Sequence, residues 1–377
     1  MQNKVMVVFG TRPEAIKMAP VVKELKKIQQ LDVKVAVTAQ HREMLDQVLE
    51  LFEIVPDYDL NIMRENQDLY GVTSRVLQGM RDIFDRERPG MVLVHGDTTT
   101  TFAASLAAFY QRIVVGHVEA GLRTHNKHSP FPEEMNRLLT GRMADLHFAP
   151  TETAKKNLLA EGLAPFNIWV TGNTVIDALY QTVKPDYHFT GDLAGLDFDR
   201  RFILVTTHRR ENWGERMKEI YLALCDILDE FEDVGIVFPV HKNPVVRKVV
   251  EEILGGHERV HLIEPLDYEP FAHLMNSSYL VMTDSGGLQE EAPSLGKPVL
   301  VLRDTTERPE AVEAGTVRLV GTNRGRVYEE ARRLLQDEGA YQEMARAVNP
   351  YGDGQAASRI AKVVRDYMHA RYSGNEG

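Results

Sequence analysis

The chain has 377 residues, 43% of them hydrophobic and 26% charged, a composition that fits two soluble globular domains with ample cores. The formal net charge of −11 argues against nucleic acid or an anionic membrane as the main partner, so the Arg and Lys of any anion site must be gathered locally. The single cysteine, Cys225, excludes a disulfide frame or thiolate metal site, and without a leader-like N-terminus or an apolar run of about 18 residues a cytoplasmic protein is expected.

Residues 4–9 (KVMVVF) form a short β-branched apolar run, read as a strand. Thr11, Pro13 and Glu14 then suit a helix start, and Ile16, Ala19, Val22, Leu25 and Ile28 mark one helical face. Strands are expected at 33–39, 91–94, 113–118, 146–149 and 168–170, with helices at 44–52, 68–86, 103–110 and between the last two strands. The stretch 117–137 (HVEAGLRTHNKHSPFPEEMNR) leaves a strand end as a long polar loop. Pro130 and Pro132 delay the next helix to about Glu133. A loop that holds Glu119, Arg123, Glu133, Glu134 and Arg137 is either a solvated surface with ion pairs or a site.

The pattern lapses at 182–200 and then begins again. Strands are expected at 202–205, 235–240, 260–263, 279–282, 297–302 and 317–320, with helices at 213–231 and 268–276, one opened by 284–287, and a last one from Gln355. Strand–helix alternation throughout predicts parallel, doubly wound sheets. The halves echo each other: VFGTRPE resembles VTTHRREN, and VHGDTTT resembles MTDSGG. The expected architecture is two Rossmann-like domains facing a central cleft.

Ligands of such sheets sit at the carboxyl ends of the strands. There Asp284–Glu291 reads DSGGLQEE, which is not the dinucleotide GxGxxG pattern. Its glycines would let backbone N–H groups approach a phosphate, with Glu290 or Glu291 accepting from a ribose; the plainer reading is a turn that caps a helix. Arg12, with Lys17, is placed to hold a diphosphate, although Lys17 also reads as a solvated helix residue. His208, Arg209 and Arg210 form either a phosphate-compensating cluster or a basic surface turn. His95 is read as support for its strand end. Asp97, Glu119 and Glu133 stand in successive loops on one edge of the N-terminal sheet. They fit a magnesium site or a general acid and base, and geometry must decide.

Nine segments in order carry a resemblance. They are GTRPE at 10–14, AQHR at 39–42, HGDTTT at 95–100, HVEAGLRT at 117–124, PFPEEMNR at 130–137, THRREN at 207–212, HKNP at 241–244, DSGGLQEEAPSLGKPVL at 284–300 and RDTTERPEA at 303–311. Together they resemble the non-hydrolysing bacterial UDP-N-acetylglucosamine 2-epimerases, from about residue 4 to the YGDGQAASRI segment at 351–360. The resemblance implies an α/β GT-B fold. An N-terminal domain would span 1–172 and carry the catalytic carboxylates. A UDP-binding domain would span 173–360, and a last helix, 361–377, would return to the first.

It further implies interconversion of UDP-GlcNAc and UDP-ManNAc without NAD or metal. UDP leaves carbon 1 as the carbon 2 proton is removed, and then adds back to a bound 2-acetamidoglucal. Asp97, Glu119 and Glu133 match the catalytic carboxylates, and His208, counted with them as catalytic, matches a position that meets the leaving diphosphate. Arg12, Ser285, Gly286 and Gly287 match the diphosphate positions, to which Lys17 is added as a substrate contact on its place beside Arg12; Glu291 matches a ribose ligand and Phe271 a uracil contact. Arg137 and Arg308 match active-site arginines. A second UDP-GlcNAc is implied as activator, with Gln40, His41, Glu134, Arg209 and His241 in the matching segments. Glu43 stands where some activated members carry Gln. A homodimer serving cell-surface polysaccharide synthesis is expected. The competing readings are a hydrolysing epimerase that releases ManNAc, a GT-B glycosyltransferase and a nucleotide-sugar sensor.

Overall fold

A computed structural model describes residues 3–39, 42–64, 67–197 and 200–373. The chain forms two compact units, Met1–Tyr180 with Tyr351–Gly377, and Gln181–Pro350.

The first unit is built on strands β1 (Lys4–Phe9), β2 (Asp32–Val37), β3 (Tyr58–Asp59), β4 (Met91–His95), β5 (Val114–Val118), β6 (Leu146–Ala149) and β7 (Ile168–Val170). Among the described residues they make one parallel sheet in the order β3-β2-β1-β4-β5-β6-β7. Between them run α1 (Arg12–Lys26), α2 (Arg42–Leu51), α3 (Leu69–Glu87), α4 (Thr99–Tyr110), α5 (Glu133–Met143), α6 (Glu152–Ala160) and α7 (Thr174–Thr182). The central strands are buried along their whole length, which is why they read as unbroken apolar runs rather than alternating ones. One face of the sheet, with Met6, Val8, Val92, Val94 and Val115, packs on Val76, Met80 and Phe84 of α3 and the alanines of α4.

The second unit repeats the plan. Its strands are β8 (Arg201–Thr206), β9 (Val234–Pro239), β10 (Val260–Ile263), β11 (Leu280–Thr283), β12 (Val299–Val301) and β13 (Val317–Leu319). They pair in parallel in the order β10-β9-β8-β11-β12-β13. Its helices are α8 (Glu215–Glu230), α9 (Pro244–Leu254), α10 (Tyr268–Ser277), α11 (Leu288–Ser294), α12 (Pro309–Glu313), α13 (Arg324–Gln336) and α14 (Glu338–Ala345). Ile203, Val205, Ile236 and Phe238 of its sheet pack against Ile220, Leu224 and Ile227 of α8 and against Val327 and Leu334 of α13. The last helix, α15 (Ala356–Ser373), belongs to the first unit and packs on α1.

In both sheets the strand order reverses once, between β1 and β4 and between β8 and β11. Loops leaving the carboxyl ends of those strands diverge there and open a crevice, the usual ligand position of an open parallel sheet. Residues 10–14 and 96–99 flank the first switch point, and 207–212 and 284–287 the second.

The division falls at 180/181 and 350/351 rather than at the expected 172/173 and 360/361. Hydrogen bonds give the reason. Asn173 N–H donates to Tyr351 O at 2.7 Å, and the Asp177 carboxylate of α7 accepts from the backbone N–H of Ala356 at 3.2 Å and of Ala357 at 2.8 Å. These bonds hold α7 and residues 351–357 in the first unit. Among the described residues no helix is long and apolar enough to cross a membrane.

Candidate active site

At the first switch point the chain turns sharply at Gly10, where a Cβ would meet Thr38 Oγ1 at 2.1 Å and Thr100 Oγ1 at 2.6 Å. Only glycine allows strand β1 to end this close to the start of α4. Glu14 then ties the two loops together. Its Oε2 accepts from Gly10 N–H at 2.9 Å and Thr11 N–H at 2.8 Å, and its Oε1 from the hydroxyls of Thr98 at 2.6 Å and Thr101 at 3.0 Å. At 2% exposure its carboxyl is pushed above the usual range by burial, against the pull of these donors. Glu14 is therefore a framework residue. It presents Arg12, at the first position of α1, as a half-buried cation with no hydrogen bond or ion pair among the described residues.

The carboxylates of this unit are separately engaged. Asp97 follows β4, and its carboxylate accepts from Arg137 Nη2 of α5 while its carbonyl accepts from Asn136 Nδ2 at 2.9 Å. Arg137 is held from behind by Glu134, at 3.2 Å. Glu134 is 1% exposed and also accepts the backbone N–H of Thr124 at 3.1 Å and His125 at 3.0 Å. It thus fastens the 119–132 loop to the helix that orients Asp97. Glu119 sits in the left-handed region at φ 61°, a conformation that costs a non-glycine residue about 1 kcal/mol and marks functional sites. Its Oε2 accepts from Lys17 Nζ of α1 and from Asn173 Nδ2 at 2.8 Å. Glu133 opens α5, half-buried, and among the described residues makes no hydrogen bond or ion pair. Of the charges in this stretch only Arg123 turns away, in a two-pronged pair with Glu161 at 2.6 and 3.0 Å. Among the described residues, Asp97, Glu119 and Glu133 are not gathered into a metal-ligating cluster. Asp97 and Glu119 each face their own cation, Arg137 and Lys17.

At the second switch point the organising group is Asp284, which is fully buried. It accepts from the backbone N–H of His208 at 3.0 Å and of Arg209 at 2.9 Å, from Asn212 Nδ2 at 3.1 Å, and from the ring of His208 at 3.0 Å. Burial pulls its pKa up, but His208 and these N–H groups outweigh that and hold it below the usual range. Because His208 Nδ1 donates to Asp284, Nε2 is turned away from it. The ring stands near that of His241, 6.2 Å between centroids, and Arg209 Nη2 lies 3.8 Å from where a Cβ on Gly286 would be. Ser285, Gly286 and Gly287 form the turn between β11 and α11, braced by Gln289 Nε2 on Ser285 O at 3.1 Å. Gln289 accepts from Thr306 at 2.6 Å, and Thr306 from the Arg308 N–H at 3.0 Å. The side chain of Arg308 pairs with Glu290. Arg303 joins Glu211 at 2.7 Å to Glu307 at 2.8 Å. Against burial, that pair takes Glu307 down to about 2. Glu291 lies on α11 and Phe271 in the first turn of α10, both half-buried.

A family model described as UDP-N-acetylglucosamine 2-epimerase matches residues 23–365. The chain belongs to that family. A UDP-N-acetylglucosamine 2-epimerase of Escherichia coli (strain K12) is 60% identical over 371 residues, 96% of this chain and 98% of the relative. The crystal structure of UDP-GlcNAc 2-epimerase from Neisseria meningitidis bound to UDP-GlcNAc is 51% identical. It covers 96% of this chain and 100% of that one, with a TM-score of 0.84. A sucrose-phosphate synthase from Thermosynechococcus elongatus, 12% identical, matches with a TM-score of 0.64 over 98% of this chain and 100% of that one, a likeness of GT-B fold alone.

Among the residues expected from the motifs, contacts join Lys17 to Glu119 and Asp97 through Arg137 to Glu134 on the first unit, and set His208 beside His241 and Arg209 beside Gly286 on the second. No such contact joins Arg12, Glu133 or Phe271 to the others among the described residues. Gln40 and His41 lie outside the described residues. Residues not expected at the site from sequence are Glu14 and Asn173 on the first unit and Asp284, Gln289 and Arg303 on the second, which brace loops. All but Asn173 lie inside the motif segments, as polar residues beside those taken for the site.

Proposed function

We propose that this protein interconverts UDP-GlcNAc and UDP-ManNAc without hydrolysis. The observation that carries the reading is the pair of ion-paired carboxylates at the first switch point, Asp97 with Arg137 and Glu119 with Lys17, in a chain of this family. Inverting carbon 2 needs a base on one face and an acid on the other, so a single carboxylate does not suffice. Asp97, Glu119 and Glu133 are assigned those proton transfers. The leaving UDP is assigned to Arg12, Lys17, His208, Arg308, the Ser285 hydroxyl and the N–H groups of Gly286 and Gly287, donors that would meet the charge as it develops. Glu291 is assigned to the ribose and Phe271 to the uracil. The elimination breaks the C1–O bond as the C2 proton passes to the base. Re-addition of UDP to the glucal restores the bond while an acid protonates carbon 2 from the other face.

The family likeness also supports a cytoplasmic homodimer that supplies ManNAc units for cell-surface polysaccharide and is activated by a second UDP-GlcNAc. Arg209 and His241 are the candidate activator contacts. Glu134, buried and fully engaged, would respond through Arg137 and the 124–125 backbone.

The test is proton NMR of the purified protein with UDP-GlcNAc in D2O. UDP-ManNAc with deuterium at carbon 2 is expected. Free ManNAc with stoichiometric UDP would replace this reading by the hydrolysing one, and no exchange at saturating UDP-GlcNAc would remove it.

A further inference from the structure

Two histidines end adjacent central strands of the first sheet, and they are treated differently. His117 of β5 donates from Nε2 to Gly96 O at 2.7 Å and so pins the loop that carries Asp97. Burial takes its pKa down to about 3, and it is a neutral structural donor. His95 closes β4 and is 3% exposed. Neither of its ring nitrogens has a hydrogen-bond partner among the described residues. The expectation that it supports the strand end is therefore not met by any bond of its ring. A neutral imidazole carries one N–H, and leaving that donor unmade in a buried place costs about 1–3 kcal/mol. The polar atom it does face is Glu119 Oε2, 3.7 Å from Nε2.

Glu119 is the residue held at φ 61°, and its Oε2 already takes Lys17 and Asn173. The charged and titratable groups around His95 are Glu119 after β5, Lys17 on α1 and His117 on β5. Burial is the main cause that takes His95 down to about 4, with Lys17 adding to it and Glu119 opposing it, so the ring is neutral across the working range.

We propose that His95 is a positioning residue for Glu119, presenting a neutral Nε2–H donor that closes on Oε2 when Lys17 turns its donors toward an anionic substrate. This deepens the reading of Glu119 as a proton-transfer group and rests on it. A group that must gain and lose a proton is poorly served by a single permanent cation, which favours only the charged form. A neutral donor keeps the carboxylate in place in both forms and loses less when it is protonated. The left-handed backbone at Glu119 fixes where the side chain starts, and His95 fixes where its carboxylate ends.

The first test needs no activity. Long-range 1H–15N spectra of the full-length protein saturated with UDP, with His95 assigned through His95→Gln, are expected to show the Nε2–H neutral tautomer between pH 5.5 and 8. Glu119→Gln is expected to move that Nε2 resonance. An Nδ1–H tautomer, or a resonance indifferent to Glu119→Gln, overturns the proposal. The second test is carbon 2 deuterium exchange. His95→Leu is expected to lower kcat about 10-fold or more with KM within about 3-fold, and to move the acidic limb of the pH profile upward, since a lost donor weakens the charged carboxylate. His95→Gln, which keeps an N–H donor, is expected to stay within about 3-fold of wild type. A His95→Leu protein with a lower Tm but unchanged kcat and limb overturns it. Should the wild-type protein fail to exchange carbon 2, the proposed reaction falls, while the tautomer and its response to Glu119→Gln still decide His95.

Discussion

Asp284 and Glu14 are both buried carboxylates that collect loop N–H groups, yet they answer pH in opposite directions. Asp284 is held below its usual pKa once His208 and the N–H donors have outweighed burial. Its contribution to stability is fully present above about pH 4 and is lost as pH falls through the lower folded value. Asp284→Asn sets an NH2 among donors and removes the partner of His208. A loss of about 3–5 kcal/mol is expected, read by urea unfolding at pH 7, because one half of a buried charged network is left behind. Glu14 is raised, burial being the largest cause. Its stabilisation is full below the usual carboxylate range and declines as pH rises through the folded value. In Glu14→Gln the carbonyl can keep the Gly10 and Thr11 N–H groups while the hydroxyls of Thr98 and Thr101 rotate to accept the amide. Glu14→Gln should thus stay within about 1 kcal/mol of wild type, and wild type should lose ground to it as pH rises from 4 to 8. A difference in Tm that is flat with pH would show that Glu14 stays neutral throughout.

At the scale of elements, the strand ends are set by what the loops must do. Gly10→Ala drives a methyl into the hydrogen-bonded pair Thr38–Thr100, whose hydroxyls are 2.9 Å apart. The cost expected is about 1–3 kcal/mol, with a larger loss of UDP affinity because Arg12 follows two residues later. Calorimetry and titration with UDP separate the two effects. Strands were the easier half to read: buried parallel strands announce themselves as apolar runs, so the doubly wound plan and both switch-point loops were legible. Two helices of the second unit were harder to read. Pro244 reads as a breaker, but it opens α9 behind Asn243, whose side chain accepts from Val245 N–H at 2.9 Å. Helix α13 keeps a helical apolar spacing at Val327, Ala331, Leu334 and Leu335, but its charged remainder hid it. Helix α4 starts four residues before the expected 103, because Thr98 caps it through Thr101 N–H at 3.1 Å. Motif segments were legible where they leave the strands at each switch point, as at Asp97 on the first unit and His208 on the second. Asn173 reaches Glu119 across 54 residues and Arg303 reaches Glu211 across 92, contacts that no local pattern encodes.

For the molecule as a whole, the two units differ in how they are strung. The second is continuous, Gln181–Pro350, with its own sheet and core, whereas the first is completed only when residues 351–377 return. Helix α15 buries Ile360, Val364 and Met368 almost completely and packs on α1. Its first N–H groups are satisfied by Asp177 of α7, and Arg359 donates to Thr171 O at 3.0 Å. Three fully buried apolar side chains contribute roughly 1.5–3 kcal/mol each as an upper bound, comparable with the net stability of about 5–15 kcal/mol of a whole domain. The fragment 181–350 is therefore expected to fold alone, with dispersed amide signals and one cooperative unfolding transition, and to bind UDP more weakly than the full chain does. The fragment 1–180 should be open to protease and lack such a transition until a peptide of 351–377 is added. If 1–180 unfolds as sharply without the peptide as with it, the returning helix is ornament to a unit that is already complete, and the clasp at Asp177 does not hold the fold together.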